Sequence, residues 1–175
     1  AELSDSCDEL RVSLDRLRGM VNVDREAGRA TFWAGTTLRE AGRLLAAQGL
    51  AMENLGDIDA QTLAGAISTG THGTGITLGS LSTQVSSLTL VDAEGRIVEC
   101  SEERDPTLFK AAQVSLGALG VIVEVGLRVV PAYRLHYVRR RETLQSCAAN
   151  LDRYRDGSRH CELYWLPHTD TVQLK

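Results

Sequence analysis

The chain has 175 residues, and its 19 lysines and arginines against 23 aspartates and glutamates give a net charge of −4. This mild acidity argues against a nucleic-acid binder, which needs a concentrated positive field. No apolar run approaches the roughly 18–20 residues of a membrane span, so membrane association is not indicated, and the polar opening AELSDSCDEL is unlike a signal peptide. Hydrophobic residues make up 43% of the chain, enough for a packed core.

The first predicted elements are a hairpin and a helix. The stretch MVNVDREAGRATFWAG alternates apolar and polar residues on both sides of a turn at residues 26–28, which is typical of paired strands. In the next stretch, TTLREAGRLLAAQGL, Thr37 and Glu40 have the spacing of a capping box. Gly49 stands where a left-handed residue ends a helix.

A long segment without clean periodicity follows at residues 51–83. Its centre, AGAISTGTHGTG at residues 64–75, holds four glycines among small hydroxyl residues and no charged residue other than His72. Glycines let backbone amides approach a phosphate closely, and threonine and serine add hydrogen-bond donors. The pattern favours an interior polar or anionic ligand, and a flexible surface loop is the alternative.

Two nucleotide-binding motifs do not fit this segment. Its glycines are not in the order G-x-G-x-x-G, and the flanking elements lack regular β-α-β alternation. Gly65 and Gly70 have the G-x-x-x-x-G spacing of a P-loop, but Thr71 stands where that motif has its lysine. The segment is therefore neither a Rossmann turn nor a P-loop.

The second half of the chain continues the mixture of strands and helices. VSSLTLVDAEGRIVEC predicts a second hairpin, Asp105 and Pro106 start a helix, and VIVEVGLRVV predicts a strand that Pro131 ends. Beyond it we expect a basic strand at RLHYVRRR, an amphipathic helix with Leu144 and Tyr154 on one face, and a strand at CELYWLP. The fold class predicted is α+β, with a mixed or antiparallel sheet and flanking helices.

The cysteines are far apart and form no C-x-x-C pair. They are Cys7, Cys100, Cys147 and Cys161. A chain of this length does not need a disulfide framework, so we expect reduced thiols and a cytoplasmic protein.

The histidines show no metal-ligand spacing, because His136, His160 and His168 are scattered along the chain. His72 lies between Thr71 and Gly73. Imidazole titrates near neutral pH, so a catalytic role is the alternative, but a structural role in holding the glycine loop is favoured. The run of three arginines at residues 139–141 is interpreted as a solvated strand end.

Two stretches carry a resemblance to a known family. They are NLGDIDAQTLAGAISTGTHGTG at residues 54–75 and DPTLFKAAQVSLGALGVIVEVGLRVVPAY at residues 105–133. Together they resemble the FAD-linked sugar-lactone and alditol oxidases, which are flavoproteins of the vanillyl-alcohol-oxidase type. The resemblance runs in order from SLDRLRGMV to YWLPHTDT. It implies FAD as cofactor, a small-molecule polyol or sugar-lactone substrate whose CH–OH group is oxidised, and molecular oxygen as acceptor.

The resemblance also implies a division of the chain. Residues 1–132 would form the second FAD-binding subdomain, with the first FAD segment missing upstream. Residues 133–175 would form the beginning of the substrate-binding cap domain. The stretch LPHTD, which contains His168, resembles the segment by which the family's chain enters that domain. The chain opens without Met and closes on a strand-like pattern, so we expect both ends to be cut from a longer protein. No catalytic residue is expected within the fragment, which alone would be inactive.

The resemblance assigns the glycine-rich loop to FAD, near its pyrophosphate and isoalloxazine ring. The positions carried over are Asp57, Thr62, Gly65, Ala66, Ile67, Ser68, Thr69, Gly70, Thr71, His72 and Gly73. The backbone amides of residues 65–68 are the expected donors to flavin or phosphate oxygens. The second motif, SLGALGVI, implies that Gly117, Val121 and Ile122 lie along the ADP half, and a tight helix-to-strand turn is the alternative.

Gly56 matches the family position beside the reactive flavin carbon. A glycine leaves a path for oxygen, whereas a methyl group in a densely packed interior would close it. The resemblance therefore implies an oxidase that forms hydrogen peroxide. The alternative is that Gly56 is a turn residue that needs a positive φ.

Two other functions remain open. One is another FAD-dependent enzyme of the same fold, acting on a hydroxy acid or an aromatic alcohol. The other is a truncated product that keeps the flavin-binding fold without catalysis.

Overall fold

Antiparallel sheets of five, three and two strands organise the computed structural model, which describes residues 12–175. Cys7 lies outside the described residues. In chain order the elements are β1 (Met20–Asp24), β2 (Arg29–Trp33), α1 (Leu38–Ala46), β3 (Leu50–Ala51), α2 (Leu63–Ser68), a 3-10 turn (Leu81–Gln84), β4 (Val85–Val91), β5 (Ile97–Ser101), α3 (Pro106–Ala112), β6 (Val121–Arg128), β7 (Val130–Pro131), β8 (Arg140–Thr143), α4 (Leu144–Ala149), α5 (Leu151–Asp156), β9 (Leu163–Trp165) and β10 (Thr171–Leu174).

Both predicted hairpins are confirmed. In the first, Asp24 Oδ1 accepts from the Ala27 amide at 2.9 Å and Gly28 takes a φ of 61°. In the second, Asp92 Oδ1 accepts from the amides of Glu94 and Arg96 at 3.0 and 2.9 Å. These bonds between residues close in sequence satisfy turn amides, and for that reason the turns could be predicted from the sequence.

Strand β6 joins the two hairpins into one five-stranded sheet of order β1-β2-β6-β4-β5. It pairs antiparallel with β2 on one side and with β4 on the other. The fold is therefore α+β with antiparallel sheets, as predicted.

The predicted helix caps are also present. Thr37 Oγ1 accepts from the Glu40 amide at 3.2 Å at the start of α1, and Gly49 follows the helix with a φ of 72°. The reciprocal half of the predicted capping box is not formed within residues 12–175, because the Glu40 carboxylate accepts from Arg18 Nη2 at 2.9 Å instead. Asp105 Oδ1 accepts from the Leu108 amide at 3.1 Å at the start of α3. Both helices bury their apolar side against the sheet. The large core cluster formed in this way includes Ala30, Phe32, Leu38, Leu45, Leu63, Ile67, Leu88, Leu90, Phe109, Val125 and Leu127.

The segment at residues 51–83, which showed no clean periodicity, contains the short helix α2. Thr62 Oγ1 caps it by accepting from the Gly65 amide at 3.2 Å. Leu63, Ala66 and Ile67 are buried. Six residues are too few for a 3.6-residue period to be recognised, and a glycine weakens the helix signal.

A second, three-stranded sheet has the order β8-β10-β9. Its small buried cluster consists of Cys147, Tyr154, Val172 and Leu174. The two-stranded sheet pairs β3 with β7. The described cysteines, Cys100, Cys147 and Cys161, are free thiols.

Two predictions for this region need correction. The expected strand at RLHYVRRR begins only at Arg140, because residues 132–139 are exposed and pair with no strand. The arginines at residues 139–141 are exposed, as predicted. The expected single helix is broken at Asn150, whose Nδ2 donates to Ser146 O at 2.8 Å, so Leu144 and Leu151 stay exposed.

Within residues 12–175, no helix combines the length and the apolar character that crossing a membrane requires. The domain boundary between residues 132 and 133 stays a prediction.

Candidate functional site

A cavity of about 380 Å³ brings three distant segments of the chain together. Residues 55–58 with Gln61 form one part of its lining, residues 71–74 form another, and Glu162 with Tyr164 close the third side. Five predicted site residues therefore meet here: Gly56, Asp57, Thr71, His72 and Gly73.

Two buried amides, which the sequence reasoning missed, hold the first two segments together. Gln84 Nε2 donates to Asn54 O at 2.9 Å, and its Oε1 accepts from the Glu53 amide at 3.1 Å. Asn54 Nδ2 donates to Thr74 O at 3.2 Å. Both side chains are only 4% exposed. A buried amide is stable only when its groups are satisfied, so this pair fixes residues 53–55 against the loop at residues 71–79.

The backbone of these segments is in direct contact at two glycines. A Cβ on Gly73 would overlap with Leu55 O and Asn54 Oδ1, and one on Gly56 would lie 3.0 Å from His72 O. Gly56 does not adopt a positive φ. The alternative that Gly56 serves as a left-handed turn residue is therefore wrong, and the space beside it is what requires glycine.

The loop presents unused donors to the cavity. Among residues 12–175, the backbone amides of His72, Gly73 and Thr74 donate to no protein acceptor. Thr71 Oγ1 adds a hydroxyl, which accepts from Gln61 Nε2 at 3.1 Å. Consecutive free amides beside glycines fit the oxygens of a flavin or a phosphate.

Two of the four donor amides expected on α2, those of Gly65 and Ala66, are not available. The Gly65 amide donates to Thr62 Oγ1, and the Ala66 amide donates to Thr62 O at 2.9 Å. Ala66 and Ile67 also point their side chains into the core. The prediction that these two amides donate to the cofactor disagrees with this geometry, because the cap of α2 already uses them.

The other end of α2 meets the second motif. Gly70 ends the helix region with a φ of 66°, and the Leu116 amide donates to Ser68 O at 3.2 Å. Leu116 and Gly117 take φ values of 52° and 79°. Ser115 Oγ is buried and has no hydrogen-bond partner within residues 12–175. The connection from α3 to β6 therefore contains two consecutive residues with positive φ and one buried hydroxyl that no described residue satisfies.

Three further predicted residues lie outside the cavity. Thr69 Oγ1 donates back to Gly65 O at 2.9 Å. Val121 and Ile122 begin β6. Because Ile122 is only 4% exposed, only its backbone could face a ligand.

His72 has the structural bond expected of it. Its Nδ1 lies 2.9 Å from Gly73 O. The ring is exposed and closes on the neighbouring carbonyl, which supports a role in shaping the loop. His168 lies in the exposed turn between β9 and β10 with a φ of 66°, where its side chain does not pack into a core.

The third side of the cavity carries a polar cluster that the sequence did not reveal: Asp57, Glu162, Tyr164 and Lys175. Tyr164 Oη donates to Glu162 Oε1 at 2.6 Å and lies 3.1 Å from Asp57 Oδ2. Lys175 Nζ donates to Glu162 Oε2 at 2.9 Å. The bonds of Lys175 to Glu162 and then Tyr164 raise the pKa of the ammonium, and the bond to Glu162 raises the pKa of the Tyr164 phenol.

Comparison with protein families gives two matches along the chain. Residues 2–101 match the family described as FAD binding domain. Residues 125–175 match the family described as D-arabinono-1,4-lactone oxidase.

Relatives with assigned names resemble nearly the whole chain. L-gulonolactone oxidase of Scyliorhinus torazame is 38% identical over 95% of this chain and 38% of its own length. L-gulono-1,4-lactone dehydrogenase of Mycobacterium tuberculosis is 40% identical over 93% of this chain and 37% of its own. D-arabinono-1,4-lactone oxidase of Yarrowia lipolytica is 38% identical over 93% of this chain and 32% of its own. The chain thus spans between 32% and 38% of these relatives.

Solved structures share the fold at low sequence identity. A cholesterol oxidase variant from Brevibacterium sterolicum matches with a TM-score of 0.79 and 20% identity, over 93% of this chain and 34% of that one. A 6-hydroxy-D-nicotine oxidase from Arthrobacter nicotinovorans matches with a TM-score of 0.72 and 20% identity, over 90% and 37%. These matches confirm the predicted fold of the vanillyl-alcohol-oxidase type.

Proposed function

We infer the function from one premise: the chain belongs to the FAD binding domain family, and FAD is its cofactor. We propose that the protein containing this chain oxidises the CH–OH group of a sugar 1,4-lactone and passes the electrons to oxygen. When bound, FAD accepts the hydride that leaves the CH–OH carbon. The chain itself contributes binding and orientation.

One observation carries the proposal: His72, Gly73 and Thr74, whose amides donate to no acceptor within residues 12–175, line one cavity together with Gly56 and Asp57. These amides would donate to oxygens of the cofactor, and the buried Asn54–Gln84 pair would keep them in place. The buried, unpartnered Ser115 hydroxyl beside α2 supports a second contact, at the segment that contains Gly117.

The names of the relatives support a lactone as substrate, since gulonolactone and arabinonolactone are both sugar 1,4-lactones. The match of residues 125–175 to D-arabinono-1,4-lactone oxidase points the same way. An alditol is the second substrate class that we propose to test, since it offers the same CH–OH group without a ring carbonyl.

Oxygen as acceptor rests on Gly56. A methyl at this position would press against His72 O, whereas glycine leaves that space free. One relative is named a dehydrogenase, so the electron acceptor needs a test separate from that of the substrate.

The proposal is tested on the FAD-loaded protein that contains this chain. L-gulono-1,4-lactone, D-arabinono-1,4-lactone, xylitol, a hydroxy acid and an aromatic alcohol are added separately without oxygen, and the flavin absorbance is followed. We expect the lactones to bleach the flavin and oxygen to restore the colour with formation of peroxide. Bleaching by a hydroxy acid or an aromatic alcohol alone would favour the other flavoenzymes of this fold. Stable flavin without bleaching by any alcohol would favour a non-catalytic flavin-binding protein.

Two further expectations are kept as proposals. We place the boundary between the FAD-binding part and the start of the cap between residues 132 and 133. We also propose a cytoplasmic protein, for which the free thiols of Cys100, Cys147 and Cys161 are the support.

A further inference from the structure

The polar cluster of Asp57, Glu162, Tyr164 and Lys175 joins side chains from three separate parts of the chain. Glu162 and Lys175 are largely shielded, with side chains 27% and 21% exposed. Lys175 Nζ also lies 4.4 Å from the centre of the Tyr164 ring. Such convergence differs from an isolated surface ion pair, because each member has at least two partners in the cluster.

The hydrogen-bond donors of this cluster have partners within it, whereas one of its acceptors has none. Lys175 has three N–H donors, and Nζ reaches Glu162 Oε2, Tyr164 Oη at 3.2 Å and Asp57 Oδ2 at 3.4 Å. The single Tyr164 hydroxyl proton goes to Glu162. Asp57 Oδ1 accepts no hydrogen bond from any residue in the range 12–175. The donors of the cluster are therefore bound to acceptors of the cluster itself, and the carboxylate oxygen Asp57 Oδ1 is available to accept from a ligand.

The charge of the cluster points in the same direction. Two carboxylates face one ammonium, and the phenol is neutral, so negative charge is in excess. A ligand that offers hydroxyl donors and no negative charge suits this wall, while a carboxylate ligand is repelled.

We propose that this cluster recognises the hydroxyl groups of a neutral sugar lactone and discriminates against the ring-opened aldonate. The two ligands differ by one water molecule and by the negative charge that hydrolysis creates. This inference rests on the proposed function, because it concerns the same cavity and the same substrate class. Glu162 and Asp57 would act as specificity-determining residues.

A second cavity on the same face of the three-stranded sheet has the opposite character. It has a volume of about 680 Å³, and its lining includes Arg139, Arg141 and Lys175. Neither Arg139 nor Arg141 pairs with a carboxylate within residues 12–175. An aldonate attracted to these guanidinium groups would bind more tightly than the lactone, which is the outcome opposite to the proposal.

The test compares two dissociation constants in the FAD-loaded protein that contains this chain. L-gulonate binding is measured at equilibrium by the change in flavin absorbance. Binding of L-gulono-1,4-lactone is taken from the concentration dependence of anaerobic flavin reduction. In the unmodified protein we expect the lactone to bind more tightly than the aldonate.

Charge-removing variants then address the cause. Glu162→Gln keeps the size of the side chain, and we expect it to tighten aldonate binding about fivefold while lactone binding changes less, since one repulsive charge at short range is worth about 1 kcal/mol in water. Asp57→Asn should act in the same direction and serves as the second variant if Glu162→Gln does not fold. Tyr164→Phe changes no charge and should leave the ratio of the two constants unaltered.

Glu99→Gln is the matched control. Glu99 lies on the edge strand β5, pairs with Arg104 and lines neither cavity. It should change neither constant. An unchanged ratio in a folded, FAD-loaded Glu162→Gln or Asp57→Asn protein would overturn the inference. Tighter binding of the aldonate to the unmodified protein, weakened by Arg141→Gln, would also overturn it. If the lactone does not reduce the flavin of the unmodified protein, the proposed function fails first and the inference falls with it.

Discussion

The cavity has two walls of very different construction. The five-stranded unit (residues 20–131) provides the wall of glycines and free amides together with Asp57, and the three-stranded unit (residues 140–175) provides Glu162, Tyr164 and Lys175 of the charged wall. The first rests on a large core that includes Phe32 and Leu88. The second buries only Cys147, Tyr154, Val172 and Leu174, and its strand β9 is exposed along its length.

The weaker unit is attached through polar contacts to the backbone of the stronger one. Arg159 Nη2 donates to Glu53 O at 3.0 Å, and its guanidinium lies 5.3 Å from the centre of the Tyr133 ring. His160 Nδ1 lies 3.0 Å from Thr74 O. The wall built from backbone groups thus rests on the large core, whereas the wall built from side chains is held in place by a few polar contacts.

The first prediction tests the difference in core packing between the two units. Phe32→Ala removes a fully buried side chain from β2 and should lower the free energy of unfolding by about 3–5 kcal/mol. Val172→Ala, in the small cluster, should cost about 1–2 kcal/mol. Thermal melting and hydrogen exchange measured separately for each unit would check this. Equal losses of protection in both units from Val172→Ala would show that the two units do not differ as described.

The second prediction concerns the amide wall. Gly73→Ala places a methyl where Leu55 O and Asn54 Oδ1 already lie, so the loop must shift at a cost of about 1–3 kcal/mol. We expect FAD retention to fall while the three-stranded unit keeps its exchange protection. Gly42→Ala is the matched control, because its Cβ meets nothing within 4 Å on α1. Full flavin occupancy in Gly73→Ala would contradict the role given to this wall.

The third prediction concerns oxygen access at the same wall. Gly56→Ala brings a methyl to 3.0 Å from His72 O, so we expect reoxidation of the reduced flavin by oxygen to slow about tenfold or more, a change of about 1.4 kcal/mol in the barrier. Reduction by lactone and turnover with an artificial acceptor should stay nearly intact. Stopped-flow measurement of both half-reactions decides the matter, and equal losses in both would rule out a gate.

The smallest effect is expected from pH in the three-stranded unit. The hydrogen bond from Tyr154, together with one from Ser146, lowers the pKa of Glu142 below its ordinary value of 4.5. Its contribution to stability is therefore present above pH 4.5 and lost as the pH falls through the folded-state pKa. Glu142→Gln should flatten this acid dependence in exchange data for the three-stranded unit alone. An acid loss of the same size in both proteins would assign it to other groups.

Much of the five-stranded unit could be predicted from the sequence because its signals are local. The caps at Thr37 and Asp105 and the turns at Gly28 and Gly95 each involve residues within a few positions of one another. The helix α2 was missed, since six residues around a glycine carry too little periodicity.

The site was predictable only in part, for the same physical reason. Thr71 and Gly73 stand out by composition and Gly56 by the family resemblance, but the Asn54–Gln84 bonds join positions 30 residues apart. Asp57 and Lys175 meet across 118 residues. Nothing in the local pattern around either residue signals such a partner, so the charged wall appears only when the sheets are assembled.

The position of β6 in the sheet determines when the two hairpins can pair with each other through it during synthesis. Both hairpins precede it in the chain, yet it lies between them and pairs with β2 and β4. During synthesis at about 5–20 residues per second, β2 therefore waits roughly 5–20 s for its inner neighbour. Strand β4 ends at Val91 and waits only for residues 92–128, roughly 2–7 s at the same rate. During these intervals the inner edges of β2 and β4 are unpaired and are templates for intermolecular pairing. Chaperone dependence and yield at high expression rates follow from this topology, independently of how stable the finished protein is.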